Sequence, residues 1–98
     1  MNAVFYKALK FNGKIDTWKT TNVTDMMEMF QGAESFDQPI NYNAANGTWD
    51  TRNVTTMKWM FTGAKAFNQP VGKWNTSNVL NMFGMFLGAK KFNQSVKE

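Results

Sequence analysis

Seven carboxylates are the acid–base candidates of this chain: Asp16, Asp25, Glu28, Glu34, Asp37, Asp50 and Glu98. Glu34 and Asp37, which could lie close together, are a weak signal for a carboxylate pair that divides the roles of acid and base in a hydrolysis. Nothing supports them: the chain has no histidine and no cysteine, so the commonest general base, the commonest zinc ligand and a thiolate nucleophile are all missing. The calcium-loop, phosphate-loop and dinucleotide signatures are absent as well. This inventory predicts a protein that is not an enzyme, with no catalytic residues, no metal ligands and no cofactor.

Binding is the remaining chemistry, and two sets of residues are candidates for it. Ten lysines and a single arginine, Arg52, give a net charge of +4. Lys10, Lys65, Lys90 and Lys91 fall at adjacent repeat positions and could form a basic edge for nucleic acid or an anionic surface. Glu34 interrupts that edge, and no arginine stands in it to grip a phosphate with two parallel bonds. The second set is apolar: Met27, Trp59 and Phe83, which fall between the repeated core positions, and Tyr42, within "NYNAANGT" at 41–48. These suit a protein partner, because buried tryptophans dominate interface hot spots and tyrosine among small adaptable residues makes a good contact surface. Five glycosylation-type N-x-S/T triplets, starting at Asn22, Asn46, Asn53, Asn75 and Asn93, are by-products of an Asn- and Thr-rich repeat.

That repeat is what must position these residues. "WDTRNVTTMKWMFTGAKAFNQPVGK" (49–73) aligns without a gap on "WNTSNVLNMFGMFLGAKKFNQSVKE" (74–98), so one unit runs from each tryptophan to the next. The interval from Trp18 to Trp49 is longer by six, and the excess lies in the segment 41–48. The segment 1–17 matches the second half of a unit. The expected organisation is therefore one domain over 1–98: a partial repeat at 1–17, a repeat with a loop insertion at 18–48, and repeats at 49–73 and 74–98. A period of this length marks units that cannot bury their apolar face alone and must stack on neighbours.

Within a unit, Val54, Met57, Met60, Phe61 and Ala64 recur at spacings of three to four. The spacing predicts helices near 21–31, 52–62 and 77–87. Thr or Asn at their starts would cap them, and Gly32, Gly63 and Gly88 would end them. The following "AFNQPV" reads as a short extended segment. The expected fold is thus an α/β repeat, a short right-handed solenoid similar to leucine-rich repeats, with one helix and one extended segment per unit. On it, Met27, Trp59 and Phe83 would form an outward patch on the helical wall. Asn12, Asp37, Asn68 and Asn93 share one repeat position, and Asn22, Asn53 and Asn78 another; stacking would align each set into a ladder bonded to backbone between units. Trp18, Trp49 and Trp74 read as packing residues that close each turn.

The pattern W-x-T-x-N-V-x-x-M-x-x-M-F-x-G-A-x-x-F-N-Q-P resembles the 25-residue repeats of bacterial surface proteins and mycoplasma-type lipoproteins, a group related to BspA-like leucine-rich repeats. The resemblance covers residues 1–98. It implies a leucine-rich-repeat-like solenoid, a place at the cell surface or in secretion, and adhesion or binding to proteins, and it supplies no catalytic residue. The segment 1–30 holds no apolar core of a signal peptide, and no run is long enough to span a membrane. Self-association through open ends or through the patch is a further expectation.

Overall fold

In the computed structural model, residues 1–94 are described, and they contain no helix; strand is reduced to isolated bridges, Asp25 with Thr56 and Thr56 with Asn81 in parallel, Lys19 and Asn43 with Thr48 antiparallel. The α/β fold with a helix per unit, and with it the leucine-rich-repeat-like solenoid, is therefore not what this chain forms. The segments 21–31, 52–62 and 77–87 are chains of overlapping β-turns. In the third unit the N–H of Met60 donates to Met57 O at 3.1 Å, Thr62 to Trp59 O at 3.3 Å, Ala64 to Phe61 O at 2.9 Å and Phe67 to Ala64 O at 3.2 Å.

Two left-handed residues per unit explain why turns replace the helix. Trp59 and Gly63 have φ of 56° and 72°; the equivalent pairs are Glu28 and Gly32 at 60° and 73°, Gly84 and Gly88 at 65° and 75°, and Ala3 and Lys7 at 57° and 55°. A helix requires φ near −63° at every residue, whereas a type II turn requires positive φ at its third. Turns that close every three residues bring an apolar side chain inward every third or fourth position, and this spacing imitates a helical stripe.

The backbone groups freed from helical bonding pair between units instead. Met57, Trp59, Phe61 and Gly63 donate to the carbonyls of Asn81, Phe83, Met85 and Leu87 at 2.8–2.9 Å, and Met26, Glu28, Phe30 and Gly32 donate likewise to Thr56, Lys58, Met60 and Thr62 at 2.8–3.0 Å. Alternate residues thus point their N–H along the stack, as in parallel strand pairing. Each unit is a coil lying on the next.

Equivalent side chains consequently form columns. Phe5, Phe30, Phe61 and Phe86 stack with centroids 5.4 Å apart at each step. Phe11, Phe36, Phe67 and Phe92 follow at 5.8–5.9 Å, and Trp18, Trp49 and Trp74 at 6.3 Å. Within a coil the two phenylalanines lie 4.1–4.3 Å apart. The repeated Val54, Met57, Met60, Phe61 and Ala64 are all fully buried.

The polar letters of the repeat are spent on the same stacking. The indole N–H of Trp49 donates to Ile15 O and that of Trp74 to Ile40 O, both at 2.8 Å. Thr20 and Thr51 hydroxyls donate to the carbonyls of Asp50 and Asn75 in the next coil. Both Asn ladders are present. The Oδ1 atoms of Asn12, Asp37 and Asn68 each accept the N–H of the equivalent residue one coil on, at 2.9 Å, and the amide of the following Gln38, Gln69 or Gln94. Asn53 and Asn78 donate to the carbonyls of Thr21 and Arg52. A buried amide or carbonyl without a partner costs about 1–3 kcal/mol, so the buried bonds of Trp49, Trp74 and Thr20 are a condition for burying a coil that has no regular secondary structure, while the Asn ladders run along its exposed edges.

Candidate functional site

The insertion 41–48 departs from the repeat and folds as a closed loop. Gly47 N–H donates to Asn43 O at 2.8 Å and Asn43 N–H to Thr48 O at 3.1 Å. The Oδ1 of Asn43 accepts Ala45 N–H, and that of Asn46 accepts from both the backbone and the hydroxyl of Thr48. Gly47, at φ 71° with open space around it, supplies the left-handed residue the turn needs. The loop stands over Asp16, Thr17 and Lys73, and together they enclose an open depression of about 780 Å³ with Tyr42 in its wall.

Tyr42 and Lys73 also line a smaller recess of about 190 Å³ with Asp50, Arg52 and Asn75. Here sits the strongest electrostatic feature among the described residues. The Arg52 guanidinium lies 2.6 Å from the Asp50 carboxylate, whose side chain is 5% exposed, and Arg52 N–H donates to the same carboxylate at 3.1 Å. These bonds hold the Asp50 carboxyl below the usual range, against a smaller opposing effect of burial. The same partner raises the Arg52 pKa, with a lesser contribution from Tyr42. Arg52 is thereby engaged, and Lys73 has no acidic partner among the described residues.

The other candidates lie apart. Met27, Trp59 and Phe83 do not stand on a helical wall, since the described residues form none. Met27 and Trp59 are half-buried and Phe83 is 68% exposed. Trp59 lies over the next coil, where a Cβ on Gly84 would fall 2.5 Å from its ring. The Phe83 ring meets it edge-on at 6.3 Å and the Lys58 ammonium sits 4.2 Å from its centroid. Trp59 and Gly84 occupy the same repeat position, so the large residue of one coil fills the space left by the small residue of the next.

The basic positions are all exposed, but Lys65 pairs with Glu34 at 3.3 Å, leaving Lys10 on one side and Lys90 and Lys91 on the other. Of the two candidate acid–base carboxylates, Glu34 thus faces Lys65, and Asp37 is a rung of the Asn ladder. No group of three or more Asp or Glu converges among the described residues, and Glu98 lies outside them. Sequence reasoning missed Asp50, Arg52 and Lys73. The only arginine, just after the one acid at the W-x-T position, was the available signal.

A family model described as "Mycoplasma protein of unknown function, DUF285" matches residues 1–98. The chain belongs to that family. Membership in DUF285 accords with the mycoplasma-type part of the resemblance and gives no support to kinship with BspA-like leucine-rich repeats, which the helix-free coil also opposes. No curated protein and no solved structure matches the chain.

Proposed function

We propose that this DUF285 chain is a non-enzymatic protein-binding module, of the adhesion type expected at a bacterial cell surface. The observation that carries the reading is the division of labour within the sequence. The repeated letters are consumed by stacking, whereas the non-repeated loop 41–48 builds an open depression with Tyr42, Lys73 and free Asn amides at its rim. Positions that differ between units are where a repeat protein acquires specificity. Surface binding measurements against a panel of purified extracellular glycoproteins test it. A partner is expected whose affinity falls at least tenfold with Tyr42→Ala and changes little with salt; a Tyr42→Ala variant that binds as tightly as wild type would refute the site.

Binding of nucleic acid or an anionic surface through Lys10, Lys65, Lys90 and Lys91 is the second reading. The pairing of Lys65 with Glu34 weighs against it. Titration of a single-stranded oligonucleotide separates the two, because phosphate contacts weaken steeply as salt rises.

A further inference from the structure

We propose that this chain stacks head to tail with a second copy of itself, the last coil of one molecule receiving the first coil of the next through the hydrogen bonds that join coils within the chain.

Among the described residues, the first and last coils carry matching unpaired groups. Inside the molecule, each coil donates alternate N–H groups to the coil after it. In the last coil the equivalent donors are Gly84, Phe86 and Gly88, and they have no acceptor among the described residues. On the first coil the carbonyls that would serve as acceptors are those of Asn2, Val4 and Tyr6, and among the described residues they too are unpaired. The internal spacing requires Gly84 to meet Asn2, Phe86 to meet Val4 and Gly88 to meet Tyr6, which repeats the set Ala3 to Met27, Phe5 to Met29 and Lys7 to Gln31 between the first two coils. Two bonds run the other way: Lys10 N–H to Lys90 O, as Lys91 donates to Lys65 O, and Asn12 N–H to Asn93 Oδ1, as Asn93 donates to Asn68 Oδ1.

The aromatic columns give the same answer. Phe30 and Phe61 are fully buried between neighbours, and so are Phe36 and Phe67, while Phe5, Phe86, Phe11 and Phe92 are only partly buried, one face of each having no aromatic neighbour among the described residues. Laying Phe5 on Phe86 and Phe11 on Phe92 continues both columns. Leu87 and Phe83, each 68% exposed, and Val4 and Leu9, at 49% and 54%, flank the two edges. Unpaired strand-like edges with apolar flanks are the usual templates for such addition. The half-coil 1–17 carries no tryptophan, so the contact extends the phenylalanine columns and not the tryptophan one. It is heterologous, so it propagates without closing. One feature opposes it: Lys10 occupies the same column as Lys91, so the contact sets like charges together and added salt strengthens it, the reverse of phosphate binding.

Sedimentation of the full chain over a wide concentration range tests this, independently of the Tyr42 groove. The weight-average mass should rise above the 11.2 kDa monomer as concentration increases, and rise further on going from about 0.05 to 0.5 M salt. Two variants block opposite faces, Phe83→Lys with Leu87→Lys and Val4→Lys with Leu9→Lys; all four sites are exposed, and a melt confirms that each variant folds. Each alone should stay monomeric, and an equimolar mixture should form a dimer that grows no further. A wild type that remains monomeric at about 1 mM, where even weak association registers, overturns the proposal. So does a single-face variant that assembles like wild type, or a mixture that does not dimerise.

Discussion

Replacing Trp49 tests the reading that the repeated tryptophan is scaffold while Trp59 is not. Trp49 is fully buried, stacks between Trp18 and Trp74 at 6.3 Å on either side, and donates its indole N–H to Ile15 O at 2.8 Å. Trp49→Ala removes a large core ring, at a cost of about 3–5 kcal/mol, and one of the two hydrogen bonds to Ile15 O, which keeps the N–H of Trp18 at 3.1 Å, for about 1 kcal/mol more. The left-handed backbone at Trp49, φ 52°, is retained by the variant and cancels. The sum of roughly 4–6 kcal/mol is a large fraction of the stability of a domain of this size, about 5–15 kcal/mol, so Trp49→Ala should be strongly destabilised at 25 °C. Trp49→Phe keeps the column and loses the indole hydrogen bond, and should cost roughly 1–3 kcal/mol. Trp59→Ala gives up a ring that is only partly buried, about 2–3 kcal/mol, and should lower the melting temperature by roughly 10–15 °C. Thermal melts and urea titrations of the three variants decide the matter. If Trp59→Ala and Trp49→Ala lose equal stability, the assignment of Trp59 to an outer contact over Gly84 is wrong. If Trp49→Phe is as stable as wild type, the indole bond to Ile15 carries no weight.

Gly84→Ala should destabilise by about 1–2 kcal/mol for its left-handed backbone, with a further ~1 kcal/mol for displacing the Trp59 ring that its Cβ would meet. In a double-mutant cycle read by urea titration, Trp59→Ala should abolish only that second part. The folded-state pKa of Asp50 is lowered by Arg52, so the pair's stabilisation is present above the unfolded carboxyl value of about 3.9 and fades as pH falls through the lower folded value. Melting curves between about pH 6 and 2 should show this acid-dependent loss in wild type and a smaller one in Arg52→Gln. Gln31 Oε1 is buried without a partner, and the equivalent residue two coils on is Leu87. Gln31→Leu should therefore leave stability unchanged or raise it by about 1 kcal/mol, measured by the same melts.

What the sequence made legible was the register, because it depends only on which residues recur. Every residue of the Val54, Met57, Met60, Phe61, Ala64 set is buried, and the Asn12, Asp37, Asn68, Asn93 ladder forms between coils. The conformation within a coil was not legible from spacing, since turns closing every third residue and a helix of 3.6 residues per turn present nearly the same apolar stripe. Gly84 was the local sign: glycine in the middle of a supposed helix is disfavoured, and it marks the left-handed position that Trp59 and Glu28 occupy against their own preference. Of the binding candidates, Tyr42 lay in the one insertion and could be found there. Lys73 and Asp50 join it only because one coil lies above another, a proximity that no local pattern encodes. The patch of Met27, Trp59 and Phe83 mixed two repeat positions, 27 with 83 and 28 with 59, which a strict alignment to Gly84 separates.

The destination of one amide proton tests the stacked-turn architecture most directly. Phe30 N–H donates to Met60 O, in the next coil, at 2.8 Å, whereas in a helix over 21–31 it would donate to Met26 O one helical turn back. Scalar coupling across the hydrogen bond, measured by NMR on the labelled chain, identifies the acceptor carbonyl. A correlation from Phe30 nitrogen to Met60 carbonyl carbon, with its counterpart from Phe61 to Met85, is the predicted result. A correlation from Phe30 to Met26 would restore the helix and contradict the coil stack.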